Sequence, residues 1–138
     1  FPIAEPGSKR PAEGPKDGWA RSVAEGGTMG TNFGGTMHTD GLQKLHAPVL
    51  YLIGGKDDVA YPNAKNNVEL INHVPVSFAS IPVGHGGTYA EPHGGVFADV
   101  TLKWLDWRLK GKEYSKRFFD DKEYQQTWFP EWEIIKKN

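Results

Sequence analysis

No cysteine occurs anywhere in the 138 residues. That excludes disulfides, thiolate metal centres and a cysteine nucleophile. An excess of either charge is also missing: 16 Lys and Arg stand against 17 Asp and Glu, a formal net charge of -1. So even a balance gives no field for gripping nucleic acid or an anionic membrane. No apolar run is long enough to cross a bilayer. A starting methionine is lacking too, since the chain opens with Phe1-Pro2, and no signal peptide is left to read. We therefore expect a processed chain or a piece of a longer one. By size alone, 138 residues make about one domain.

What the chain has in quantity is glycine and proline, 17 and 10 residues, too much punctuation for a helical bundle. They are unevenly spread. Residues 1–40 hold eight of the glycines and four of the prolines. The large apolar residues there, such as Trp19, Val23, Met29 and Phe33, follow neither a period of 2 nor one of 3.6. Residues 1–41 therefore read as an irregular segment, with one short helical turn near Trp19 to Ala24. Such a stretch buries too little apolar surface to offset its own ordering entropy.

From Leu42 the texture changes. Ala47 to Ile53 (APVLYLI) is a continuous apolar run ended by Gly54-Gly55, the pattern of a strand buried on both faces. Ala64, Val68 and Ile71 then recur at i, i+4 and i+7, which predicts a helix over Asn63 to His73 behind the starter Pro62. Val74 to Val83 reads as a second strand and stops at Gly84. The strongest helix begins near Val96. Phe97, Val100, Trp104 and Leu105 share one of its faces, and Gly111 is its expected stop. Lys112 to Asp121 reads as a short polar helix or turn. Thr127 to Ile135 reads as an edge strand or covering loop broken by Pro130. The expected organisation is an irregular 1–41, an α/β body over 42–111, and a tail at 112–138 packing on that body. One βαβα unit is too small to stand alone, so the fold class is α/β, the last part of an open parallel sheet.

In open α/β folds, chemistry gathers past the carboxyl ends of the strands. There the chain places Gly54-Gly55-Lys56-Asp57-Asp58 after one strand and Gly84-His85-Gly86-Gly87-Thr88-Tyr89 after the next. A carboxylate that orients an imidazole, which then acts as general base for a hydroxyl nucleophile, needs these residue types. The bland alternatives are an Asp serving as a turn former and a His in a polar loop. The acid precedes the histidine, as in the chain order of the α/β-hydrolases.

Residues 42–110 resemble the C-terminal part of an α/β-hydrolase. The resemblance is carried by LQKLHAPVLYLIGGKDDVAYPNA, HVPVSFASIPVGHGGTY and FADVTLKWLDWRLKG, with the ending WFPEWEIIKK. It is nearest to esterase-like members of the dienelactone-hydrolase and polysaccharide-esterase type. It implies that His85 is the triad histidine. Gly55, Asp58 and Pro62 fit the family spacing for the acid, so the expected pair is Asp58 and His85, with Asp57 a solvent-facing neighbour. It also implies a serine hydrolase cleaving carboxylic esters, including acyl esters on plant polysaccharides, with no cofactor and an extracellular or periplasmic location. The departure is the nucleophile. None of Ser8, Ser22, Ser77, Ser80 and Ser115 lies in a Gly-x-Ser-x-Gly elbow. The serine is thus expected on a missing N-terminal segment or a second chain. The alternative is a non-catalytic, carbohydrate- or protein-binding piece of hydrolase ancestry.

Other features are weaker. The two Gly-Gly-Thr-Met copies at 26–29 and 34–37 lack the Lys and Ser/Thr of a phosphate loop and read as a flexible loop on the substrate side. No two of His38, His46, His73, His85 and His93 have the i, i+4 helical spacing of a zinc motif, so no metal site is expected. Substrate-binding residues are not legible.

Overall fold

The computed structural model describes residues 39–138, with side chains from Gly41 onward. The expected turn near Trp19, both Gly-Gly-Thr-Met copies, His38, Ser8 and Ser22 lie outside the described residues. A short helix, α1 (Thr39–Gln43), leads into strand β1 (Val49–Ile53). Helix α2 (Tyr61–Leu70) crosses over to β2 (Val76–Ser80). A 3-10 turn (Pro92–Gly94) precedes the long α3 (Gly95–Lys110). Two further helices, α4 (Glu113–Asp120) and α5 (Lys122–Trp128), lead to β3 (Glu133–Lys137).

The sheet is mixed, in the order β1-β2-β3. Strands β1 and β2 are parallel, with Val49 opposite Val76 and Ile53 opposite Ser80. This is the expected parallel pair with a helical crossover. Strand β3 runs antiparallel to β2, with Ser80 opposite Glu133. The C-terminal segment therefore corrects the expectation in two ways. Residues 112–138 are not only a tail on the body, because they complete the sheet, and the sheet is not purely parallel. Pro130 does not break the strand, since β3 begins three residues after it. Thr127 and Trp128, read as the start of a strand or loop, instead end a helix over 122–128 that starts on a side-chain cap: Asp121 Oδ1 accepts from the Tyr124 amide at 3.0 Å.

Position in the sheet also decides burial. The apolar run of β1 is only half-buried except at Ile53, because β1 is an edge strand. Strand β2, flanked on both sides, is buried at all five residues. Alternation along the strands then separates two cores. Leu42, Ile53, Ala64, Val68, Ile71, Val74, Val76 and Phe78 pack on the α2 face. Ala79, Val100, Phe118 and Phe119 pack on the other, under α3 and α4. In the second core Phe118 meets Phe119, Phe129 and Trp132 edge-on at centroid distances of 5.0, 5.0 and 5.6 Å, the arrangement that ring quadrupoles favour.

A local device ends α3, and a long-range one ties α2 to the sheet. Gly111 takes a left-handed φ of 64°, and the amides of Gly111 and Lys112 close on the carbonyls of Trp107 and Asp106. That is the stop expected from sequence. Between α2 and β3, Tyr61 Oη donates to Glu133 at 2.7 Å and Lys65 Nζ pairs with the same carboxylate at 2.9 Å. Burial pushes the Tyr61 phenol up, and the neighbouring Glu133 carboxylate pushes it further, to about 12. The contribution to stability is complete below the ordinary tyrosine range and is lost as pH rises through that value. A spectrophotometric titration should therefore find Tyr61 ionising late, and Glu133→Gln should move that step back toward the ordinary range.

Candidate active site

The two strand-end loops are built from backbone outward. Hydrogen bonding between β1 and β2 continues past the strands: the Ile81 amide donates to the Ile53 carbonyl at 3.1 Å. The amides of Val83 and Gly84 both donate to the Gly54 carbonyl, at 3.0 and 2.8 Å. Ser80 Oγ, at the end of β2, accepts from the Gly55 amide at 3.1 Å. At Gly54 a Cβ would overlap the Gly84 carbonyl, so only glycine permits this approach. The glycines that ended the strands in the sequence thus also bring the acid-bearing and histidine-bearing loops side by side.

Asp58 sits inside this junction, with its side chain 4% exposed. Its Oδ2 accepts from the Gly54 amide at 2.8 Å. Its Oδ1 accepts from the Ala60 amide at 2.8 Å and from His85 Nδ1 at 2.7 Å. Burial works to raise the carboxyl pKa, but the Ala60 and Gly54 amides and His85 together outweigh it and hold the group below the usual carboxylate range. Asp57 is exposed and is not the residue that meets His85. An ionised carboxylate can only accept, so His85 donates from Nδ1. In the neutral ring that leaves the Nε2 lone pair free to take a proton.

The His85 side chain is 47% exposed. The loop beyond it is pinned to α3. Thr88 is buried; its Oγ1 donates to the Gly94 carbonyl at 2.7 Å and accepts from the Phe97 amide at 3.0 Å, closing the first turn of α3. Tyr89 projects outward and meets Phe97 edge-on at 5.4 Å. Thr88 and Ser80 support the loops and were missed at the sequence level. Ser80 read there only as a strand residue without an elbow. Thr88 offered one signal, a hydroxyl directly after Gly86-Gly87.

The other candidates are not drawn in. His73 Nε2 lies 2.8 Å from the Leu45 carbonyl and His46 Nδ1 lies 3.3 Å from that of Lys44. His93 is exposed, with a left-handed φ of 57°. Among the described residues no three His, Asp or Glu side chains gather as metal ligands would, and no helix is long and apolar enough to cross a membrane. No hydroxyl among the described residues hydrogen-bonds His85. Two surface hollows, one lined by Lys65, Val68 and Lys137 and one by Gln125, Phe129 and Trp132, include neither Asp58 nor His85.

Comparison with known proteins finds no match to any family model, any curated protein or any solved structure. The site is therefore interpreted from its own geometry.

Two predictions test that geometry. A lowered carboxyl pKa contributes stability above the unfolded carboxylate range and loses it as pH falls through the folded value. Asp58→Asn removes this part, so the gap between wild type and variant in urea unfolding should be widest near neutrality and narrow toward pH 3. Gly54→Ala should cost about 2–3 kcal/mol through backbone overlap. Gly84→Ala meets no atom within 4 Å and carries only its φ of 83°, so it should cost about 1 kcal/mol. Equal costs would contradict the described junction.

Proposed function

We propose that this chain supplies the acid and the histidine of a serine hydrolase acting on carboxylic esters, with the serine on a segment outside the described residues. One observation carries the reading: the 2.7 Å bond from His85 Nδ1 to a buried Asp58 carboxylate, on a histidine side chain about half exposed. In this reading the serine hydroxyl attacks the ester carbonyl, and His85 Nε2 takes its proton and returns it to the leaving alcohol. Asp58 holds the tautomer and stabilises the imidazolium. Water then attacks the acyl-enzyme, again with His85 as base, and releases the acid. The resemblance to α/β-hydrolases of the esterase type supports the same assignment, and with it the finer proposals of acyl esters on polysaccharides and an exported protein. Among the described residues β1 pairs on one side only, which supports a sheet that continues onto another segment.

A second reading, a non-catalytic binding piece, is favoured by the missing Gly-x-Ser-x-Gly sequence. The two separate cleanly. In the full gene product a fluorophosphonate probe should label a serine, and His85→Ala should lower ester turnover by about four orders of magnitude. Unchanged turnover in that variant would sink the hydrolase reading. Absence of labelling together with glycan or protein binding would establish the second.

A further inference from the structure

The pairing that makes His85 a base also leaves it exposed as a nucleophile, and this needs no serine. The imidazole is anchored through Nδ1 to Asp58 and is half in solvent. Its neighbours Gly84 and Gly86 bring no side chains that could cover the ring. With Nδ1 taken by Asp58, Nε2 is the ring nitrogen left for an acyl carbon. The other described histidines lack this combination. His73 and His46 face backbone carbonyls, and His93 has no anchoring carboxylate. A ring that donates its second N–H to a carboxylate is the more electron-rich at the free nitrogen.

We propose that the 138-residue chain by itself transfers acyl groups from activated aryl esters to water through an acyl-His85 intermediate. The Nε2 lone pair forms a bond to the ester carbonyl carbon. The carbon–oxygen bond to the aryl group breaks, and the aryloxide leaves with its electron pair. The acyl-imidazolium that results is stabilised by Asp58, which keeps the Nδ1 proton in its hydrogen bond. Water then adds to the acyl carbon and loses one proton to solvent, and the Nε2–carbon bond breaks. The carboxylic acid departs and the neutral ring is restored. Histidine is a known covalent nucleophile of this kind. Its substrates are esters with a phenol-type leaving group, because a weakly basic aryloxide leaves more readily than the imidazole is expelled.

The activity uses the residues of the proposed hydrolase site but not its serine, so the two ideas fail separately. The test uses the purified 138-residue chain and p-nitrophenyl acetate. Release of p-nitrophenolate should fall about tenfold in His85→Gln, with circular dichroism and urea unfolding of the variant showing that it stays folded. Mass spectrometry of the quenched reaction should find acetyl on His85, removable by hydroxylamine. Asp58 is a positioning residue. Asp58→Asn should slow acylation of His85 by diethyl pyrocarbonate about tenfold while that of His93 in the same sample stays unchanged, a contrast that general unfolding would not produce. Acetyl on lysines or His93 alone, or a rate unaffected by His85→Gln, overturns the proposal. Fluorophosphonate labelling of a serine in the full gene product decides the hydrolase reading whichever way this experiment falls.

Discussion

Two backbones meet at the carboxyl ends of β1 and β2, where the Gly54 carbonyl accepts from both Val83 and Gly84. This contact fixes everything that matters at the site. Without it, the loop carrying Asp58 and the loop carrying His85 would be two independent turns, and a 2.7 Å bond between their side chains would cost the ordering entropy of both. With it, the parallel register of the strands is carried into the loops, and the side chains inherit a fixed separation. Ser80 and Thr88 strengthen the arrangement from either side, the first on the Gly55 amide and the second on the start of α3.

The electrostatics of the pair follow from the same junction. A carboxylate that is almost out of solvent would ordinarily be pushed toward its neutral form. Asp58 is held ionised because two backbone amides and an imidazole point at it. The amides belong to the turn itself, at Gly54 and Ala60, so the charge is stabilised before any substrate or partner arrives. His85 is left as the one mobile-proton group of the pair that solvent can reach. Such an asymmetry, a buried fixed acid behind an exposed base, suits both the proposed triad role and direct attack by the ring.

The remainder of the chain supports this corner. Helices α3 and α4 cover one sheet face with an aromatic core, and α2 covers the other. Strand β3 closes one side of β2 and ties back to α2 through Glu133, Tyr61 and Lys65. On the opposite side β1 is an edge, and its apolar residues are only half covered. Both sheet faces are thus covered, while among the described residues the β1 edge has no partner strand, and that is the side where the proposed serine-bearing segment would join.

Much of this was already in the amino-acid order. Apolar runs cut by Gly54-Gly55 and Gly84 mark β1 and β2, and the 3.6-residue spacing from Phe97 to Leu105 with Gly111 behind it marks α3. These are local signals, in which a few neighbouring residues settle the conformation. The Asp57-Asp58 pair and His85 could be picked out for the same reason, since each lies in the loop that follows a strand. The direction of β3, the exposure of β1 and the burial of β2 could not be read, because they depend on which strand neighbours which. Nor could the choice of Asp58 over Asp57 be derived from residue type. It is decided by which carboxylate the Gly54–Gly84 contact turns toward the imidazole, and only the folded backbone, bringing together residues 27 apart in the chain, sets that.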